Sequence, residues 1–161
     1  MTKDAIDLYA AGATVPAQWI KGLSREDLLA VPVPGKWSIQ TLVHHVLDSD
    51  LIASHRMKRI IAEENPLLIS YDETLFAAKL GYERLDVALA CELFRLNREL
   101  TTQVLRNQPE AAFARFGIHN QNGKQTLLEI VRLYAGHLEH HAPFLVEKRK
   151  KLGKPLSETR P

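Results

Sequence analysis

The stretch 126-TLLEIVRLYAGHLEHHAPFLVEKRKK-151 places apolar side chains at 127, 130, 131, 134, 138 and 145. That spacing of three or four residues lines one face of an α-helix. Pro143 brings no amide donor and is expected to kink this helix or end it early. The basic run from Lys148 to Lys151 falls at the C-terminal end, where positive charge favours the negative pole of a helix, and it is read that way rather than as a nucleic-acid contact. His137 and His141 are four residues apart, so on a helix they share a face about one turn from each other. The row 127, 130, 134, 137 or 138, 141 and 145 takes both into the interior. His140 falls with Glu129, Gly136 and Glu147 on a wetter side.

Working towards the N-terminus, residues 107–125 are polar and contain glycine, with Phe113 and Phe116 as anchors; a short hairpin and an ordered loop both fit. Between Leu85 and Arg106, positions 85, 89, 93, 96, 100 and 104 repeat every three or four residues and make one amphipathic face. Gly81 marks an interruption before it, and Asp72-Glu73 opens a further helical turn. Ser38 can cap a long helix whose apolar positions are 39, 42, 43, 46, 57, 60 and 61, ending before Pro66. Val31-Pro32-Val33-Pro34-Gly35 cannot be helical throughout, because each proline lacks a donor and pushes its predecessor towards extended backbone. Residues 13–30 carry one pattern opening near Pro16, with Trp19, Ile20 and Leu23. A shorter one follows, capped by Ser24 with Glu26 and Asp27 in its first turn. Four long helical patterns and no convincing alternating strand predict an all-α four-helix bundle, as one domain over 1–161.

Composition narrows the function classes. A chain of 161 residues is long enough to bury a core without disulfide staples. Its 21 basic and 19 acidic residues leave a formal charge of +2, too small an excess to imply a surface that tracks phosphates, so no nucleic-acid partner is expected. Cys91, the single cysteine, cannot make an internal disulfide and is expected to be buried. No apolar run approaches the roughly 18 residues of a membrane span and no secretory signal pattern opens the chain, so no membrane association and a cytoplasmic location are expected.

The seven histidines carry the chemistry. Two inward histidines on one helix can be core residues satisfied by hydrogen bonds. A third imidazole from another helix would make a three-ligand site with a position left open for water or substrate. The helix after Ser38 offers His44 or His45. Periodicity leaves both open, since His44 aligns with Trp37, Leu47 and Leu51, and His45 with Thr41, Leu42 and Ile52. Asp48, three residues from His45 and four from His44, can orient an imidazole through its second nitrogen, or stand as an exposed carboxylate. His55, beside Arg56, is expected to be solvated, and His119 to lie in the long loop; neither is assigned as a ligand.

Three segments together resemble the DinB-like superfamily, especially its YfiT branch of metal-dependent hydrolases, over roughly residues 30 to 150. They are Gly35-Lys36-Trp37-Ser38 leading into His44-His45-Val46-Leu47-Asp48-Ser49; Glu63-Glu64-Asn65-Pro66 leading to Tyr71-Asp72-Glu73; and Tyr134-Ala135-Gly136-His137 followed by His140-His141. The resemblance implies a bundle with a metal at one end. It selects His45 over His44 as the ligand in an HxxD context, and places the other two ligands on His137 and His141. Gly136, where a bulky residue is expected, and Pro143 depart from the pattern and put substrate identity in question. The implied cofactor is a divalent transition metal, zinc or nickel foremost, with Asp48 as the candidate catalytic carboxylate. The implied partner is a small-molecule substrate; because relatives of this fold are thiol S-transferases, a low-molecular-weight thiol is a second expectation. A homodimer is also expected, with Tyr9 and Trp19 of the N-terminal segment contributing to its contact.

Overall fold

A computed structural model of the chain describes residues 2–156. Its helices are α1 (Thr2–Ala11), α2 (Val15–Ile20), α3 (Arg25–Leu29), α4 (Ile39–Ala62), α5 (Glu73–Lys79), α6 (Val87–Arg106) and α7 (Leu127–Lys151), with 3-10 turns at Gly12–Thr14, Tyr82–Arg84 and Glu110–Ala114. The starts follow from side-chain caps that satisfy otherwise unpaired helical amides. Ser24 and Thr126 form capping boxes with Asp27 and Glu129, Ser38 accepts from Thr41 N, Asp72 from Leu75 N, and Asp86 from Ala88 N and Leu89 N.

The bundle is made of α1, α4, α6 and α7. Helix α4 packs on α6 and α7, and α1 packs on the same two, so α1 and α4 occupy opposite corners. The first corner thus begins at Thr2, earlier than the pattern at residues 13–30 indicated. A single turn of Ala5, Ile6 and Tyr9 buries it, too short a stretch for periodicity to register. Tyr9 and Trp19 both lie inside the chain's own core, so neither is free to meet a second copy.

Two expectations change. The leucine row that runs from Leu85 into α6 does not face the bundle: Leu85, Leu89, Leu93, Leu96 and Leu100 are between 43% and 66% exposed. The face that packs is Ala90, Cys91, Phe94, Arg98, Thr101, Thr102 and Leu105. Pro143 does not end α7, which runs unbroken to Lys151. Pro143 and Glu139 are both exposed, so the carbonyl left without a partner one turn back can be hydrated.

Residues 116–126 form the hairpin β2 (Phe116–His119) and β3 (Gly123–Thr126), and β1 (Leu67–Leu68) adds to β2 in parallel. His119 is therefore a buried strand residue rather than a loop residue, its Nδ1 accepting from the amides of Gln121 and Asn122. The sheet matters for the site because it pins the segment leading into α5. Asn120 exchanges hydrogen bonds with the Ser70 amide and hydroxyl, and Arg56 donates to Ile69 O. No helix among the described residues is long and apolar enough to cross a membrane.

Candidate metal centre

His45 on α4 and His137 and His141 on α7 converge. Nε2 of His141 lies 3.2 Å from Nε2 of His45 and 3.1 Å from Nε2 of His137. Hydrogen bonding alone does not satisfy this trio. A neutral imidazole nitrogen either donates one proton or offers one lone pair, so a nitrogen placed between two others leaves at least one contact unsupported. A cation resolves it: metal–nitrogen bonds of about 2.0–2.1 Å at tetrahedral angles put ligand nitrogens about 3.3 Å apart. The donor set and its spacing fit a divalent transition metal.

The rings are held from outside. His45 packs against Trp37 with centroids 5.0 Å apart, His137 against Tyr134 at 5.4 Å, and His141 against the exposed His140 at 5.0 Å. Burial pushes the basicity of all three imidazoles down, and neighbouring imidazole charge pushes further on the α7 pair: His137 falls to about 3 and His141 to about 4. The three are neutral near pH 7 and meet a cation without first releasing protons.

The structure separates the histidine doublets. His44 is a satisfied core residue, with Nδ1 2.9 Å from Gln40 O and its ring stacked on Tyr82. His140 is exposed, as is His55. Asp48 accepts the Tyr82 hydroxyl at 2.5 Å, and no hydrogen bond among the described residues joins it to an imidazole. Its charge acts on His45 through space, favouring the protonated ring.

The carboxylate nearest the three nitrogens is Glu73, whose Oε2 is 3.6 Å from Nε2 of His45. It stands in the first turn of α5, and the preceding residues fix it there: the Tyr71 hydroxyl bonds Ser49 Oγ one turn below His45, and the Tyr71 ring packs on Phe76. Sequence reading passed over Glu73 because an acidic residue in a first helical turn already has an explanation in the helix dipole. His141 and Glu73 share the wall of a cavity of about 300 Å³ with Trp37, Leu42 and Phe144. A Cβ placed at Gly136 would meet nothing within 4 Å, so the missing bulk there leaves open space.

Comparison with known proteins bears on the fold and the family. YfiT from Bacillus subtilis, described as "a probable metal-dependent hydrolase with an unusual four-helix bundle topology", superposes with a TM-score of 0.88 over 95% of this chain and 88% of its own, at 23% identity. A Halalkalibacterium halodurans protein named "Putative metal-dependent hydrolase BH0277" is 30% identical over 105 residues, 65% of this chain and 61% of the relative. An Oceanobacillus iheyensis protein with the same designation is 28% identical over 130 residues, 80% of this chain and 75% of the relative. The DinB superfamily profile matches residues 13–144, a span that takes in His45, His137 and His141. The chain belongs to the DinB superfamily.

Proposed function

We propose that the chain is a metal-dependent hydrolase of small molecules, with His45, His137 and His141 as ligands and Glu73 as the proton acceptor beside them. The observation that carries this reading is the convergence of three neutral imidazole nitrogens beside a cavity that a carboxylate also lines. When bound, a divalent cation supplies Lewis acidity and makes water acidic enough to ionise near neutral pH. Glu73 Oε2 is placed to take the proton from an attacking water and return it to the leaving group, the work of a general acid–base. Trp37 and Phe144 exclude bulk water from one side of the cavity, and Asp48 keeps the surroundings of His45 negative. Zinc and nickel both accept imidazole ligands, and geometry and availability decide between them.

A low-molecular-weight thiol in place of water is the second reading. The same observation favours it, because a ligand-deficient metal stabilises thiolate and Glu73 can accept the thiol proton. A structural metal would instead require a fourth protein ligand, and Glu73 is the side chain near enough to become one.

One set of variants tests these readings together. His45→Ala, His137→Ala and His141→Ala are expected to weaken zinc retention against a chelator by more than about a hundredfold, beyond the effect usual for an outer-sphere partner. His44→Ala and His140→Ala are expected to stay loaded. Glu73→Gln is expected to keep its metal and lose about 10²–10⁴-fold in turnover of ester, amide or thiol-transfer probes, the usual size of a general-base effect. Zinc lost from Glu73→Gln as readily as from His141→Ala would make Glu73 a ligand and the site structural.

A further inference from the structure

The cavity beside His141 ends, away from the histidines, on a lysine that has no partner. Lys148 is 4% exposed, lines the cavity, and among the described residues no hydrogen bond or ion pair reaches its ammonium. The side chain is enclosed, but its ammonium is not among the fully buried polar atoms, so the charge keeps solvent contact while no protein acceptor holds it. Burial pushes Lys148 down, opposed by the charge of its neighbour Glu147 and assisted by that of Lys36. The second lysine is exposed and lines the same wall. Glu73 is the acidic residue on that lining, and it stands beside His45. The cavity is thus polarised, with His141 and a carboxylate on one side and a lysine pair on the other.

Helix geometry fixes the separation. His141, Leu145 and Lys148 stand at i, i+4 and i+7, on one face of α7. Seven residues at about 1.5 Å each put the two backbone positions about 10 Å apart along the axis. Side chains on a helix lean towards its N-terminus, which brings the Lys148 ammonium back towards His141. An elongated small molecule spans this distance, with one end among the imidazoles and an oxyanion at the other. The walls between are the faces of Trp37 and Phe144.

We infer that Lys148, assisted by Lys36, forms an oxyanion-binding subsite, and that the substrate carries a carboxylate or phosphate group at the end remote from the bond that reacts. This rests on the hydrolase reading for its account of the other end, but the subsite itself needs no metal. Sequence reading gave Lys148 to the helix dipole together with the rest of the terminal basic run. That explanation suits the exposed Lys150 and Lys151, and it does not account for a lysine folded inside.

The test is ligand binding to the full chain, zinc-supplemented and chelator-treated, followed by the Trp37 indole N–H resonance. Phenylacetate, phenyl phosphate and the neutral 2-phenylethanol are the probes. At least one of the two anions is expected to bind saturably in both preparations, more tightly than the alcohol, and the better anion identifies the class. Lys148→Met is expected to weaken that anion by about tenfold or more, as loss of a charge-assisted hydrogen bond does, while Lys148→Arg retains most of it. Equal binding of anion and alcohol, or anion binding indifferent to Lys148→Met, would overturn the subsite. Anion binding that appears only with zinc and disappears in His141→Ala would do the same, by placing the anion on the metal. Anion binding in both preparations, with no turnover of ester or amide probes by the zinc-supplemented protein, would leave the subsite standing and count against the hydrolase reading alone.

Discussion

Three crowded imidazole nitrogens, with that of His141 within hydrogen-bonding distance of the other two, are tolerable only while they stay neutral, and that makes the site sensitive to acid. In the unfolded chain a histidine takes its proton near pH 6.5, whereas in the fold His141 does so near about 4 and His137 near about 3. Between those values the unfolded state binds more protons, so stability rises with pH across the window and is lost as pH falls through it. Chelator-treated protein is therefore expected to melt at progressively lower temperature from about pH 6.5 down to about pH 4. The slope should be smaller in His137→Gln, which cannot be protonated; identical slopes in the two proteins would count against this origin. The residue scale also shows where periodicity stops being informative. His44 and His45 are both buried on α4, so an inward direction could not choose between them. What distinguishes them is the partner each meets, Gln40 O and Tyr82 for one, two imidazoles for the other, and partners from distant parts of the chain are not written in the spacing. The resemblance of the HxxD segment supplied the choice.

At the scale of elements, α4 and α7 were legible because their apolar rows are the rows that pack, and their N-terminal caps are polar residues standing where helical amides need acceptors. Helix α6 was misleading for a physical reason. Its packing face meets Tyr9, Asp50 and Asn97's partner Ser54, so it carries small and polar side chains, while its leucines stand outside. A hydropathy pattern reports where apolar residues recur and not which face has a neighbour; apolar atoms make up much of any protein surface. The difference is measurable. Phe94→Ala, on the face that packs, is expected to destabilise by about 3–5 kcal/mol, and Leu93→Ala, on the exposed row, by no more than about 0.5 kcal/mol. Chemical denaturation of the two variants compares them directly. A larger loss from Leu93→Ala would restore the inward reading of the row. Glu73 belongs to the same lesson, since its place beside His45 depends on the β1–β2 pairing and the Tyr71–Ser49 contact that carry α5 across the bundle end.

For the molecule as a whole, one ion pair ties all four corners together. Arg98 on α6 donates from Nε to Asp50 Oδ1 on α4 at 2.9 Å, from Nη1 to Tyr9 O on α1 at 2.9 Å, and from Nη2 to Tyr134 O on α7 at 2.8 Å. Asp50 also accepts from Asn97 Nδ2 and the Tyr9 hydroxyl, and the guanidinium lies over the Tyr9 and Phe94 rings. Both partners are fully buried, so the pair offers little net stability over an apolar replacement but cannot be broken cheaply from one side. Gly12 is part of the same arrangement: a Cβ there would overlap the Arg98 guanidinium and crowd Leu138. The bundle core thus fixes the rotation of α7 about its axis through Tyr134 O, one turn before His137, and the position of α4 through Asp50, one turn and a half after His45. The geometry of the three histidines is inherited from this network. Arg98→Met is expected to cost about 3–5 kcal/mol, because it strands the Asp50 carboxylate without its counter-charge. Adding Asp50→Leu in the same chain is expected to recover part of that loss by removing the stranded charge, even though Asn97 and Tyr9 lose an acceptor. Thermal melts of the single and double variants measure the coupling, and a double variant less stable than Arg98→Met alone would show that the carboxylate serves the fold through Asn97 and Tyr9 more than through the ion pair.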